Sequence, residues 1–482
     1  MRKPVTRPGG KRVTHGEPVT RPGGKRKALS VLRCSGCGYV AGQADPYPFR
    51  CARAGSDDAD HVLVRVLDTG ALRFPRAGRE PDPFVRYRTL MHSYHLAMAG
   101  GIGDGGYLDM VAALERSVAD VDGRPFLATP FGRDDLLSDR LGFSAAGGVW
   151  VKDETGNVSG SHKGRHLMGL AIHLAVAERL GLTGGTRPEL AIASCGNAAL
   201  AAAVLARASG RALRVFLPPE ADPAVAARLA GLGARLVTCP RAPGTNGDPC
   251  YTALRQALAA GAVPFTCQGN ENGLVIEGGE TLAYEMVTAL AEAGQGERAG
   301  QKAAGLDHLV VQVGGGALAS ACAQGFREAA ELGAIEREPA LHTVQTRSAH
   351  PLERAYARLR AELPGTAGQA DIERAVAAAA RHRSAYMWPW ETEPASIATG
   401  ILDDETYDWR AVVTAMLRTG GRPLVVSEER LAEANRLAEA SGSRADPTGS
   451  AGLAGLLDLL ESGAVGPDQR VAVLFTGIRR GG

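Results

Sequence analysis

From residue 70 onward, short runs of β-branched and aliphatic residues alternate with longer Ala/Leu-rich stretches, and this alternation restricts the fold more than any other feature. The strand-like runs are 147–154, 189–194, 213–218, 235–239, 308–313, 341–346 and 471–476. Helix-like stretches such as 166–180, 223–232, 251–260 and 319–331 lie between them. Continuously apolar strands separated by helices predict parallel sheets covered on both faces. The expected fold is α/β: two doubly wound parallel-sheet subdomains within a domain at 69–482, the smaller (about 155–270) inserted in the larger. Ligands in such sheets bind beyond the carboxyl ends of strands, so the residues following each strand are where chemistry is sought.

The chain has 482 residues and is 45% hydrophobic, enough for a large core. Its net charge of +2 is unevenly spread, because residues 1–27 carry nine Lys/Arg and one acid. That segment holds a duplication, Pro4-Val-Thr-Arg-Pro-Gly-Gly-Lys-Arg12 recurring as Pro18 to Arg26. Pro, Gly and like charges build no core, so residues 1–28 read as a disordered basic tail, either solvated or an arm for anionic partners. The remainder is slightly acidic, which offers no face to nucleic acid. No apolar leader opens the sequence and no apolar run reaches the roughly 18–20 residues of a membrane span. A cytoplasmic protein, with no membrane partner and forming a homodimer, is expected.

Cysteines stand at 34, 37, 51, 195, 239, 250, 267 and 322. Only the first three cluster, which argues for reduced thiols over a disulfide scaffold. Cys34-Ser-Gly-Cys37-Gly begins as a zinc knuckle does, its turn aiming two thiolates at one point. Residues 29–68 therefore read as a zinc-ribbon-like knuckle with Cys34, Cys37, Cys51 and His61 as candidate ligands of a structural zinc. Ala54 stands where a second knuckle would place its cysteine, so a decayed, metal-free knuckle is the competing reading.

Four segments carry candidate chemistry. Val158-Ser-Gly-Ser-His-Lys163-Gly-Arg165 puts a lysine in a small-residue turn between strand and helix, a place where it can point into a cleft as a Schiff-base lysine. Ser194-Cys195-Gly196-Asn197 ends a strand and opens a helix, presenting N–H groups, a hydroxyl and an amide suited to a substrate carboxylate. Gly314-Gly315-Gly316-Ala317-Leu318 bares backbone N–H groups that can cradle a phosphate. A dinucleotide reading competes, but the G-x-G-x-x-G spacing is missing and Gln345, not an acid, ends the next strand. Thr476-Gly477 places a hydroxyl at a strand end, able to meet a heteroaromatic nitrogen. An imine lysine, a phosphate cradle, a carboxylate loop and a ring-nitrogen hydroxyl together describe pyridoxal 5'-phosphate.

The order Lys163, Asn197, Gly314 to Gly316, Thr476 resembles the tryptophan-synthase-β-like (fold type II) pyridoxal phosphate enzymes. The threonine synthase and threonine dehydratase branch is the most similar. Residues 157–165 resemble its N-P-T-G-S-F-K-D-R, and 277–285 its E-G-Q-x-T-x-A-x-E. Residues 396–401 resemble its S-I-A-x-A-I, and 446–453 its E-P-S-x-A-A-x-L. The resemblance implies that the cofactor lies between the two subdomains. Lys163 would bind it and remove the substrate's α-proton. Asn197 would contact the phenolic oxygen. Gly314, Gly315, Gly316, Ala317 and Leu318 would hold the phosphate, and Thr476 the ring nitrogen. Ser194, Cys195, Gly196 and Asn197 would hold the substrate.

This chain departs from the branch at His162 and Gly164 beside the lysine, and at Ala198 after the asparagine. A neutral hydroxyl at the ring nitrogen makes a weaker electron sink than a protonated ring would. Lyase-type β-elimination or β-replacement on a small hydroxy or activated amino acid is therefore expected, with threonine synthase chemistry on O-phosphohomoserine as the alternative. A catalytically inactive regulatory homologue is the alternative of another class. His162 is either a proton shuttle or a packing residue.

Overall fold

A computed structural model describes residues 29–480 apart from 56, 76–77, 79, 242–246 and 295–304; the basic repeat segment lies outside the described residues. A two-stranded antiparallel ribbon comes first, β1 (Ser30–Cys34) against β2 (Leu63–Leu67). The large sheet draws on β3 (Phe131–Arg133), β4 (Gly148–Asp153), β9 (His308–Gln312), β10 (Ala340–Thr346), β11 (Pro423–Val426) and β12 (Arg470–Phe475). Their order across it is β11-β10-β9-β12-β4-β3, parallel throughout except for edge strand β3. A smaller, wholly parallel sheet uses β5 (Leu190–Ala193), β6 (Leu213–Leu217), β7 (Arg235–Thr238) and β8 (Val263–Pro264) in the order β7-β6-β5-β8.

The period of two along each strand divides the core. Leu309, Val311, Ala472 and Leu474 point to one face of the large sheet, under helices Val275–Gly294, Ala317–Glu331 and Trp409–Thr419. Val310, Val471, Val473 and Phe475 point to the other, under helices Glu428–Ala440 and Ala451–Glu461. In the small sheet, Leu190, Ile192 and Val215 pack under helices Lys163–Arg179 and Asn197–Ala208, while Ala191 and Phe216 pack with Leu254 on the opposite face. The chain is thus α/β with parallel sheets. No described helix is long and apolar enough to cross a membrane.

Two helices start earlier than their periodicity predicts. The helix after β4 begins at Lys163 rather than at 166, and that after the glycine triplet begins at Ala317 rather than at 319. Both first turns close on their N-cap residues: the Arg165 N–H donates to His162 O at 3.0 Å, and the Ser320 N–H donates to Gly316 O at 2.9 Å.

Candidate active site

β4, β12 and β9 are neighbours in the large sheet, so the segments leaving their carboxyl ends meet. After β4 the chain folds back on β12. The Glu154 N–H donates to Phe475 O (2.8 Å), Ser161 bridges to Gly477, and the His162 N–H donates to Thr476 O (3.1 Å). Among the described residues, Ser159 alone is a non-glycine with positive φ, +58°, and it makes the tight turn. Lys163 therefore opens its helix beside the end of β12. Two residues later the fully buried Arg165 meets Glu154 (2.8 Å) and Glu285 (2.5 Å), and Lys152 meets Glu285 (2.5 Å). This network anchors the turn from beneath. Lys163 is half-buried and makes no hydrogen bond among the described residues.

The charge of Lys163 acts on Asp403, Asp408, Cys267, His162 and His166. Burial, and then that charge, hold the His162 imidazole well below its ordinary value, so it is neutral. His162 Nδ1 lies 3.1 Å from Thr476 O. A carbonyl only accepts, so Nδ1 carries the hydrogen. Nε2 is then a lone-pair acceptor, buried and without a partner.

The glycine triplet leaves β9 with Gly316 at φ +99°. A Cβ on Gly314 would lie 2.2 Å from Asp403 Oδ2, and one on Gly315 would lie 2.9 Å from the Tyr407 ring. Segment 401–408 thus packs directly on the loop, and the Gly315 N–H interacts with the Asp403 carboxylate. Burial pushes that carboxyl up to about 6, with Lys163 opposing. The loop already receives an anionic oxygen, as a phosphate cradle must. That it comes from an aspartate of the same chain is not read from the sequence.

Thr476 is 2% exposed, and its Oγ1 accepts from Gln312 Nε2 at 2.8 Å. Its own proton is therefore free to be donated to an acceptor such as an unprotonated ring nitrogen. Asn197 is the first residue of its helix, and Arg480 Nη2 donates to its Oδ1 at 2.8 Å. That fixes the amide so that Nδ2 is left as donor, 2.7 Å from where a Cβ on Gly477 would lie. Asn197, from the small sheet, is thereby joined to the Thr476–Gly477 end of the large one. The Gly196 N–H turns toward Ser194 Oγ (3.4 Å), and Cys195 is exposed at the rim. Desolvation and then Asp248, Glu220 and Asp403 push the Cys195 thiol up. The donor set fits pyridoxal phosphate: N–H groups for an anion, a free O–H for a ring nitrogen and a free amide N–H for a phenolic oxygen.

Sequence reasoning missed Gln312, Arg480 and Asp403. Gln312 is a polar residue ending an otherwise apolar buried strand, and that is a readable signal. Arg480 and Asp403 carry none, because their partners lie 283 and about 90 residues away.

In the N-terminal unit, one ligand atom from each of Cys34, Cys37, Cys51 and His61 lies within 4.8 Å of all the others. Cys34 Sγ lies 3.6 Å from His61 Nδ1, and Cys37 Sγ lies 3.6 Å from Cys51 Sγ. His61 Nε2 meets Asp57 at 3.1 Å, an arrangement that leaves Nδ1 as the ligand nitrogen.

The sequence model of the family described as "Pyridoxal-phosphate dependent enzyme" matches residues 126–477. A threonine synthase of Methanocaldococcus jannaschii is 26% identical over 352 residues, 72% of this chain and 74% of that one. One from Methanosarcina acetivorans is 24% identical over 361 residues, again 72% and 74%. Among solved structures, a threonine deaminase from T.th. superposes with a TM-score of 0.54 at 22% identity, covering 78% of this chain and 99% of that one. The serine racemase of maize gives 0.54 at 16% identity, covering 77% and 93%. These likenesses establish the fold.

Proposed function

The chain belongs to the pyridoxal-phosphate dependent enzyme family, and from that premise we propose that it is a lyase-type enzyme performing β-elimination or β-replacement on a small hydroxy or activated amino acid. Bound pyridoxal phosphate supplies an electron-accepting ring at the substrate's α-carbon. Lys163 would hold the cofactor and would take the substrate's α-proton. Ser194, Gly196 and the start of helix Asn197–Ala208 orient the substrate carboxylate. His162 Nε2, neutral and unpartnered, is free to accept a hydrogen bond beside Lys163, and its neutrality keeps a second positive charge away from the lysine.

The observation that carries this reading is the Gln312–Thr476 hydrogen bond, 2.8 Å. It leaves the Thr476 proton free, so a ring nitrogen held there would meet a donor and would stay unprotonated. A weaker sink favours reactions in which a leaving group departs with the electrons over transamination.

The names of the curated relatives favour threonine synthase as the second reading. Against it stand the carboxylates Asp403, Asp248 and Glu220, whose fields reach Cys195 in the substrate loop. They oppose a substrate bearing its own phosphate. Incubation with threonine, serine and O-phosphohomoserine separates the two. Ammonia and a 2-oxoacid from the hydroxy amino acids are expected; phosphate release from O-phosphohomoserine without 2-oxoacid would overturn the lyase reading. Purified protein should show the cofactor's visible absorption band, and Lys163→Ala should lose it.

Cys34, Cys37, Cys51 and His61 are proposed as ligands of a structural zinc. One equivalent of metal by elemental analysis, and a lower unfolding temperature after chelation, are expected; metal-free protein of unchanged stability would refute it.

A further inference from the structure

A continuous run of polar contacts joins the cysteine-bearing unit to the glycine loop. The knuckle turn rests on residues 60–62: the Ser35 N–H donates to Val62 O at 2.8 Å, and a Cβ on Gly36 would lie 2.4 Å from Asp60 O. The candidate ligand His61 stands between those two contacts. From the same stretch, the Asp60 N–H donates to Ala380 O at 2.7 Å, and Asp58 O accepts from the Arg383 N–H at 2.8 Å. The Asp58 carboxylate takes both the N–H and the hydroxyl of Ser384, at 2.9 and 2.8 Å. Arg383 then reaches forward. Its guanidinium lies 3.5 Å from the buried Asp60 carboxylate and also pairs with Glu405.

Glu405 belongs to the segment that covers the glycine loop. Thr406 Oγ1 donates to Gly314 O at 3.0 Å, and the Asp408 N–H donates to Gly315 O at 3.1 Å. In a trans peptide the C=O and the following N–H point opposite ways. Holding these two carbonyls therefore fixes the direction of the Gly315 and Gly316 N–H groups, the donors that a phosphate would use. A loop held this way binds its anion without first having to be ordered.

At its other end the run starts in a unit with little core of its own. The buried cluster inside the unit is Cys34, Cys51 and Leu63, so two of its three members are candidate ligands. Metal orders a turn built this way, and its loss loosens the turn. We propose that Arg383 is a positioning residue coupling the two sites. Metal on Cys34, Cys37, Cys51 and His61 steadies residues 57–62, Arg383 passes this to Glu405, and the glycine loop binds a phosphate more tightly. The coupling is reciprocal, so bound cofactor tightens the metal by the same factor. It rests on the readings that these four residues bind zinc and that the loop holds the cofactor phosphate.

The test is absorbance titration of the cofactor-free full chain with pyridoxal phosphate, after chelation and after reloading with zinc and removing the excess. Elemental analysis reads the zinc content of each sample. Zinc-loaded wild type should bind the cofactor at least fivefold more tightly than stripped wild type. Amide hydrogen exchange at residues 404–408 should quicken on chelation. In Arg383→Ala and in Glu405→Gln the affinity ratio should fall below twofold, while each still takes up one equivalent of zinc. A role in stability alone would leave that ratio at its wild-type value, because chelation would then act on the variants as it does on the wild type. Should one variant fail to fold, the other carries the test. Stripped wild type that binds the cofactor as tightly as the loaded form, or more tightly, would overturn the coupling and leave both underlying readings standing. A wild-type ratio kept in the variants would overturn the role of Arg383. Absence of zinc uptake, or of cofactor binding in both forms, would overturn the reading concerned and the coupling with it.

Discussion

Asp403 is the side chain that most changes what the glycine loop can do. Its carboxylate rests on Gly314 and interacts with the Gly315 N–H, the donor a phosphate would use. Two anions this close repel, and one N–H serves one of them well. Burial has pushed the Asp403 carboxyl up to about 6. Above that pH it competes with phosphate; below it the carboxyl is neutral and donates a hydrogen bond instead. Asp403→Asn should therefore bind pyridoxal phosphate about tenfold more tightly than wild type at pH 8, equivalent to about 1.4 kcal/mol. The advantage should shrink toward nothing at pH 5. Absorbance titration of the cofactor-free proteins reads both, and taking the variant-to-wild-type ratio cancels the titration of the phosphate itself. Equal affinities at pH 8 would show that the aspartate swings clear. Lys163, the glycine triplet and Thr476 were legible because each is an uncommon residue at a strand end. Asp403 was not, since an acid in a loop reads as solvated until the fold lays it on the glycines.

At the scale of elements, the crossing of helices Lys163–Arg179 and Val275–Gly294 sets where Lys163 stands. A Cβ on Gly278 would lie 2.0 Å from Arg165 O, and one on Gly169 would lie 3.0 Å from Gly278 Cα. Bare backbones thus touch at the crossing, and the ion pairs Arg165–Glu285 and Lys152–Glu285 close beside it. Gly278→Ala should cost about 1–3 kcal/mol through overpacking and reduce cofactor loading by moving the Lys163 turn. Gly105→Ala, in helix Gly103–Asp122 with nothing within 4 Å, should instead be neutral or stabilising by up to about 1 kcal/mol. Urea unfolding and absorbance of the two variants check this. The sequence pattern disclosed β4, β5, β6, β7, β9, β10 and β12 through their apolar runs. It did not disclose β3, β8 and β11, edge strands of two to four residues that are too short to show a period. The Gly-Gly pair at 278–279 was visible as part of a motif, but its steric purpose needed the facing helix.

Across the whole molecule, burial of ionisable groups makes stability depend on pH near neutrality. Helix Val275–Gly294 carries one buried ionic network at Glu285 and a second at Glu277 and Glu280, where Arg65 meets Glu277 (3.4 Å), Glu280 and Glu328 (2.9 Å). Burial pushes Glu115 up to about 8, and Glu277 and Asp408 up to about 7, each above its unfolded value. Such groups stabilise the fold at low pH and lose that contribution as pH rises through their folded values. Burial acts oppositely on His92 and His166, held at about 3, and on His95, His173 and His342, held at about 4. Unfolded histidines take up protons below about 6.5 that these refuse, so they destabilise the fold as pH falls below that value. Between about pH 4.5 and 6.5 the two sets offset one another. From pH 6.5 to 8 the unfolded histidines give up the half of their protons that remain, which strengthens the fold, while the three carboxyls weaken it. When no metal holds it, Cys37 also opposes them, since against its burial its thiol is held at about 7 by a hydrogen bond from Tyr39 and by neighbouring thiols. Each proton held only by the folded state corresponds to about 1.4 kcal/mol per pH unit. These opposing shares largely cancel in the whole fold, so the share of one carboxyl is read from its variant, as a difference in urea midpoint at unchanged slope. Glu115 alone accounts for about 1.6 kcal/mol of stability lost between pH 6.5 and 8, because its carboxyl titrates across the whole interval, so Glu115→Gln should gain that much on wild type over the same range. A variant-to-wild-type difference that stays constant from pH 6.5 to 8 would mean that water reaches the Glu115 carboxyl in the folded protein.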